Sequence, residues 1–209
     1  MIGVFGGTFD PIHNGHLRIA LDAQQALGLD SVHLIPVGQA VHRDQPKATP
    51  AQRLAMVQLA IQEQKHFRAD AREIERCGHS YMVDTLESLH QELPGQTLCL
   101  LLGSDAFNGF MRWREPERVL QLAHLSVMQR PGYTLPDDKD LQALVASHRC
   151  ETVEALYHSP AGCIHFHTVT QLDISSSDIR ARIARGESPA YLLPQAVIDY
   201  IIGQRLYAD

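Results

Sequence analysis

The chain has 209 residues, with 18 Lys and Arg against 24 Asp and Glu, giving a formal net charge of −6. With 44% apolar and 20% charged residues, its composition is that of a globular domain, which excludes disorder, collagen and coiled coil. The acidic balance excludes generic duplex or membrane-surface binding, and the length suits one α/β domain or one domain with an appendage.

In chain order, Ile2 to Phe5 is a short apolar run that predicts a strand, and Gly15 to Leu27 predicts a helix with Leu17, Ala20, Leu21 and Leu27 on one side. Val32 to Val37 predicts a second strand. Gly38 to Pro50 is rich in polar residues and proline and predicts a surface loop. Thr49-Pro50 then caps a helix to Gln64, and Ser80 opens another over Tyr81 to Leu93. Leu98 to Leu102 is an unbroken Leu-rich run, as expected of a strand covered on both faces. Leu125 to Met128 and Ile164 to Val169 are further strands. Arg130 to Lys139 reads as a loop, and Asp138 to Ser147, Ser177 to Arg185 and about Pro194 to Ile202 read as helices.

This alternation predicts an α/β fold: a Rossmann-like doubly wound, mostly parallel sheet with helices on both faces and a small C-terminal helical extension. The expected organisation is a single domain over 1–209, with about 1–172 the α/β core and about 173–209 the C-terminal helical part. No charged leader and no apolar run approaching ~20 residues is visible, so a soluble, cytoplasmic protein is expected. Cys77, Cys99, Cys150 and Cys163 show no C-x-x-C spacing and read as free thiols in a reducing compartment.

In open α/β sheets, ligands bind beyond the carboxyl ends of strands. After the first strand comes Gly6-Gly7-Thr8-Phe9-Asp10-Pro11-Ile12-His13-Asn14-Gly15-His16. Glycines allow close backbone approach, and the helix N-terminus that follows suits phosphate. His13 and His16, three apart on a first helical turn, share a face and can point at one anion, with Gly15 leaving space between them. The segment is neither a Walker A loop nor the G-x-G-x-x-G turn. Two ordinary turns followed by surface histidines, or a zinc-binding pair, are the alternatives.

After the last strand, Asp173-Ile174-Ser175-Ser176-Ser177-Asp178-Ile179-Arg180 places helix-capping serines one turn before an arginine whose fork matches phosphate oxygens. A serine-capped helix with solvent-facing arginines is the alternative. If the fold joins the two segments, they form a polyphosphate clamp.

These residues resemble the nucleotidylyltransferase superfamily, through Gly6 to Pro11 with H-x-G-H at His13 to His16 and through Ile174-Ser175-Ser176 to Arg180. Within it the chain is similar to the bacterial nicotinate-nucleotide adenylyltransferases. Ser80-Tyr81 to Thr85-Leu86, Gly103-Ser104-Asp105, Trp113, Arg130-Pro131-Gly132, and Tyr191 to Pro194 with the closing Leu206-Tyr207 follow that family's order.

The resemblance implies adenylyl transfer from ATP to nicotinate mononucleotide, giving nicotinate adenine dinucleotide and pyrophosphate for NAD synthesis. It implies His16, His13 and Arg180 as the catalytic groups. Gly7, Thr8, Phe9, Gly103, Asp105, Ile174, Ser175 and Ser176 join them around ATP. Thr85, Trp113, Arg130, His42 and Arg43 are implied on the mononucleotide side, with backbone amides around Thr85 and Trp113 receiving the nicotinate carboxylate. Mg²⁺ would be held mainly through ATP phosphates, with no protein metal ligand. No nucleic-acid or membrane partner is expected, and a homodimer is the ordinary expectation for a soluble protein.

Three departures stand out. Gln39 to Arg43 lacks the family's usual Pro-Pro, Ser177 stands where Thr is common, and Met82 where Thr is frequent. The rival functions are another acceptor, nicotinamide mononucleotide or phosphopantetheine, and a non-catalytic ATP sensor.

Overall fold

The computed structural model describes residues 1–39, 45–129 and 132–208. Among them lie strands β1 (Ile2–Gly7), β2 (Ser31–Pro36), β3 (Phe67–Ala69), β4 (Leu98–Gly103), β5 (His124–Gln129) and β6 (Ile164–Thr168). The helices are α1 (Asn14–Leu27), α2 (Pro50–Ile61), α3 (Arg72–Glu75), α4 (Met82–Glu92), α5 (Ser104–Phe107), α6 (Pro116–Leu122), α7 (Lys139–His148), α8 (Ser176–Ala184) and α9 (Gln195–Gly203). The strands form one sheet in the order β3-β2-β1-β4-β5-β6. The pairs β1–β4, β4–β5 and β5–β6 are parallel, with Ile2 opposite Leu98, Cys99 opposite His124 and Leu125 opposite Ile164. This order, reversing between β1 and β4, is that of the Rossmann-like doubly wound sheet.

Two compact units divide the chain. The first contains Met1–Phe5, Asp22–Val32 and Tyr81–Val169. Its centre is the Leu-rich β4, whose residues from Leu98 to Leu102 are all buried. Helix α4 buries Val83, Leu86 and Leu89 at helical spacing and packs against α6. Ser80 does not cap α4 as the sequence suggests. Tyr81 holds the cap position without capping the helix through its side chain, and Ser80 Oγ instead accepts the Gly38 amide at 3.0 Å.

The second unit contains Gly6–Leu21, His33–Ser80 and Thr170–Asp209. Thr49 caps α2 as expected, in a full capping box with Gln52. Helix α2 packs on β3 and α9, and α9 contributes the buried Val197, Ile198 and Ile201. Ala48, within the segment read as a surface loop, is buried at 2% exposure. Among the described residues no helix is long and apolar enough to cross a membrane. The described cysteines are free thiols, and burial pushes the Cys99 thiol up to about 12.

Gly38 is required by close approach, because a Cβ there would lie 2.0 Å from the Glu73 carbonyl oxygen. A backbone atom cannot swing aside as a side chain can, so Gly38→Ala forces the main chain apart. Denaturant unfolding of Gly38→Ala is expected to show a loss of about 1–3 kcal/mol, the usual cost of overpacking. Wild-type stability would show that the segment yields freely.

Candidate active site

The second unit assembles the first-turn motif. β1 continues through Gly6-Gly7 because the Val37 amide donates to the Gly7 carbonyl at 2.9 Å. A side chain at Gly7 would place its Cβ 2.8 Å from the Phe9 ring. Phe9 is buried and adopts φ 48, an uncommon conformation for a non-glycine residue. Its ring meets the His16 ring edge-on, with centroids 5.2 Å apart.

His13 and His16 stack with centroids 3.7 Å apart and planes inclined by 26°. The His16 amide donates to His13 Nδ1 at 3.4 Å, so His13 serves as a cap for α1, and its neutral tautomer carries the proton on Nε2. A Cβ on Gly15 would lie 3.0 Å from the His13 ring and 3.7 Å from Ile174 Cβ. The glycine between the histidines therefore leaves the room that the spacing suggests. The α1 N-terminus is less open than expected, since the Asn14 amide already donates to the Leu192 carbonyl at 2.9 Å.

Burial lowers the His13 pKa from 6.5 to about 4. Burial, and then the charge of His13, hold His16 well below the ordinary value. Two stacked rings in a dry setting cannot both carry charge, so at neutral pH the pair presents neutral N–H donors.

The second motif lies in the same unit and is tied to the first. Ser175 caps α8, its Oγ accepting the Asp178 amide at 3.1 Å, and Ser176 Oγ donates to the Pro11 carbonyl at 2.9 Å. Arg180 donates through one terminal nitrogen to the Asp10 carbonyl at 2.6 Å and through the other to Ser177 Oγ at 3.4 Å. Ile174, Ser175, Ser176 and Arg180 are therefore brought to the turn that holds Gly7, Thr8, Phe9, His13 and His16. The serine hydroxyls work mainly as internal ties rather than standing free for an anion, as the sequence alone suggests.

Asp10, Arg53 and Tyr207 lie beside these motifs and were not singled out as site residues from sequence. Asp10 is 3% exposed and accepts the Lys47 and Ala48 amides at 2.8 and 3.1 Å and the Tyr207 hydroxyl at 2.7 Å. Arg53 is fully buried and donates to the carbonyls of Thr8 at 2.9 Å and Val37 at 2.7 Å. The available signal was position: Arg53, Val57 and Ile61 are spaced by four on the apolar stripe of α2, so a cation there must be buried and hydrogen-bonded. Burial lowers the Arg53 pKa, and Asp10 opposes that shift.

The remaining candidates lie in the first unit or outside the described residues. Gly103 ends β4 and precedes Asp105, an exposed acid in the first turn of α5. Thr85 is fully buried in α4, its amide donating to the Tyr81 carbonyl at 3.2 Å. The Trp113 amide donates to the Phe110 carbonyl at 3.0 Å, and its half-buried ring lies 5.5 Å from that of Phe110. Both amides are thus engaged internally. The amides of the first turn of α4 have no intrahelical partner, whereas that of Thr85 has one. His42, Arg43 and Arg130 lie outside the described residues. No three described His, Cys, Asp or Glu side chains converge as a metal site requires, and the amides and Tyr207 hydroxyl already occupy both Asp10 oxygens.

The histidine shift has a sign. The unfolded chain binds a proton at His13 below pH 6.5, whereas the folded chain does so only near 4. Stability is therefore full above pH 6.5 and falls as pH drops through that window. His13→Asn is expected to make the fall of Tm between pH 6.5 and 4 shallower, as measured by calorimetry. An unchanged slope would contradict a buried neutral His13.

A family model described as cytidylyltransferase-like matches residues 4–182. A protein of Acidithiobacillus ferrooxidans named probable nicotinate-nucleotide adenylyltransferase is 45% identical over 98% of this chain and 94% of its own length. A protein of the same name from Methylococcus capsulatus is 43% identical over the whole of both chains. Among solved structures, Plasmodium falciparum nicotinic acid mononucleotide adenylyltransferase complexed with NaAD aligns over 99% of this chain and 96% of its own. Its TM-score is 0.73 at 17% identity, a likeness that speaks for the fold. The chain belongs to the cytidylyltransferase-like family, and relatives matching it end to end bear the name nicotinate-nucleotide adenylyltransferase.

Proposed function

We propose that the chain transfers the adenylyl group of ATP to nicotinate mononucleotide, giving nicotinate adenine dinucleotide and pyrophosphate. The observation that carries this reading is the tie between the stacked His13–His16 pair and the Arg180 helix, through the Arg180 and Ser176 bonds to Asp10 and Pro11. That tie places two phosphate-type motifs in one unit, and the full-length relatives supply the acceptor.

The nucleophile is a phosphate oxygen of the mononucleotide, largely ionised at neutral pH because its second pKa is about 6. It attacks the α-phosphorus, the bond to the bridging oxygen breaks, and pyrophosphate leaves with the electron pair. No protein nucleophile is needed, so catalysis rests on alignment and stabilisation of charge. His13 donates from Nε2, and His16 takes the larger part in stabilising the transition state. The neutral pair is suited to this, since an arriving polyphosphate favours the charged form that burial disfavours. Arg180, with the Ile174-Ser175-Ser176 cap, holds the distal phosphates, and Gly7, Thr8 and Phe9 line their approach. Gly103, the last residue of β4, and Asp105 take the ribose.

Amides around Thr85 and Trp113 take the nicotinate carboxylate, which gains charge-assisted bonds that a neutral nicotinamide cannot. His42, Arg43 and Arg130 complete the acceptor side. Mg²⁺ would be held by phosphate oxygens and water and would supply neutralisation of charge on the triphosphate. The reading takes 1–209 as one catalytic domain, cytoplasmic and homodimeric.

The test is pyrophosphate release with ATP and Mg²⁺ against nicotinate mononucleotide, nicotinamide mononucleotide and phosphopantetheine in turn. Turnover should be fastest with the first. ATP binding without release with any acceptor would favour a sensor. In the same assay His16→Ala is expected to lower kcat by about 10²–10³-fold, with a much smaller change in ATP affinity. Equal losses in both would make His16 a uniform binding residue.

A further inference from the structure

We propose that the C-terminal tail belongs to the ATP site: the Tyr207 hydroxyl and the Asp10 carboxylate act as a positioning pair that keeps the Arg180 guanidinium available for phosphate. The inference rests on the adenylyl-transfer reading and concerns how its ATP side is held.

Asp10 sits in the first turn, three residues before His13, and is nearly inaccessible. Its Oδ1 accepts the Tyr207 hydroxyl at 2.7 Å and the Ala48 amide at 3.1 Å, and its Oδ2 accepts the Lys47 amide at 2.8 Å. Arg180 approaches Oδ2 only to 3.8 Å, while the same nitrogen donates to the Asp10 carbonyl at 2.6 Å. The carboxylate is thus satisfied by donors other than the guanidinium, and Arg180 is anchored through the backbone. Its side chain is 28% exposed, so part of the fork still faces outward.

A buried carboxylate that loses a donor draws on the nearest cation. Without the Tyr207 hydroxyl that cation is Arg180, and closing the 3.8 Å gap would turn its fork inward. Tyr207 therefore competes with Arg180 for Asp10, and in doing so leaves the arginine's charge to the ligand. The backbone is committed to this contact. Arg205 at φ 51 and Tyr207 at φ 63 both adopt the left-handed region, which non-glycine residues occupy only where their surroundings impose it. Arg53, behind the same turn, bonds to the Thr8 and Val37 carbonyls and is not the cation set free.

The experiment is a double-mutant cycle on the full chain, reading ATP affinity and stoichiometry by titration calorimetry with Mg²⁺, alongside kcat and KM from pyrophosphate release. Tyr207→Phe is expected to weaken ATP binding and raise KM for ATP roughly tenfold, the weight of one hydrogen bond to a charged group. KM for the acceptor and the binding stoichiometry should stay unchanged. In an Asp10→Asn background, where no carboxylate charge can capture the arginine, the same substitution should cost less than about twofold. Should Asp10→Asn not fold, Arg180→Gln, which leaves no cation for the carboxylate to capture, supplies the second background, with the same loss of effect expected.

Wild-type ATP affinity in Tyr207→Phe, or an equal loss in either background, would overturn the proposal. So would a loss explained by fewer active sites at unchanged KM, since that marks a purely structural role. Binding needs no acceptor, so the cycle is read even if turnover of nicotinate mononucleotide fails. That failure, with the binding cycle intact, would sink the acceptor assignment alone.

Discussion

The site is organised around one buried carboxylate. Asp10 gathers the two amides that end the 38–50 segment and the hydroxyl of the C-terminal tail, while its backbone carbonyl holds Arg180. A carboxylate this deep is tolerated only when its lone pairs are filled. Filling them draws segments far apart in sequence to the turn that carries His13 and His16. Arg53 completes the support from behind by holding the Thr8 carbonyl, so the turn is fixed by charge-assisted hydrogen bonds on both sides.

This arrangement resolves a tension in the composition. A chain with net charge −6 is proposed to bind two phosphorylated anions, so its positive potential must be local. Part of it is a fixed cation, Arg180, anchored at the turn. Part is latent. His13 and His16 are held neutral by burial, so the pair avoids two adjacent imidazolium charges. In the proposed reaction one ring of the pair gains positive character when polyphosphate arrives, while the other stays a neutral donor.

Much of the fold was legible because its signals are local. The Leu-rich run of β4 and the Thr49-Pro50 cap of α2 each declare themselves within a few residues. β3 was not legible: it is three residues long with only Phe67 buried, too short to show a period. α3, α5 and α6 escaped for the same reason. The extension of β1 through Gly6-Gly7 depends on pairing with Val37, and a glycine pair read alone predicts a turn. Within the site, the histidine pair and the serine–arginine cap were visible as motifs, but the bonds that join them were not. Nothing in the local sequence of Asp10, Arg53 or Tyr207 says that they converge. Arg53 alone left a trace, as a charge on an apolar stripe.

The central claim is that the second unit holds a preassembled polyphosphate site around Asp10. The most direct measurement is a crystal structure of the chain with Mg²⁺ and a non-hydrolysable ATP analogue. The account requires phosphate oxygens at about 3 Å, hydrogen-bond distance, from the His13 and His16 rings and the Arg180 fork, with the Asp10–Tyr207 and Arg180–Asp10 carbonyl bonds unchanged. Phosphates seated away from the histidine pair, or an Asp10 cluster that must come apart to admit them, would contradict it.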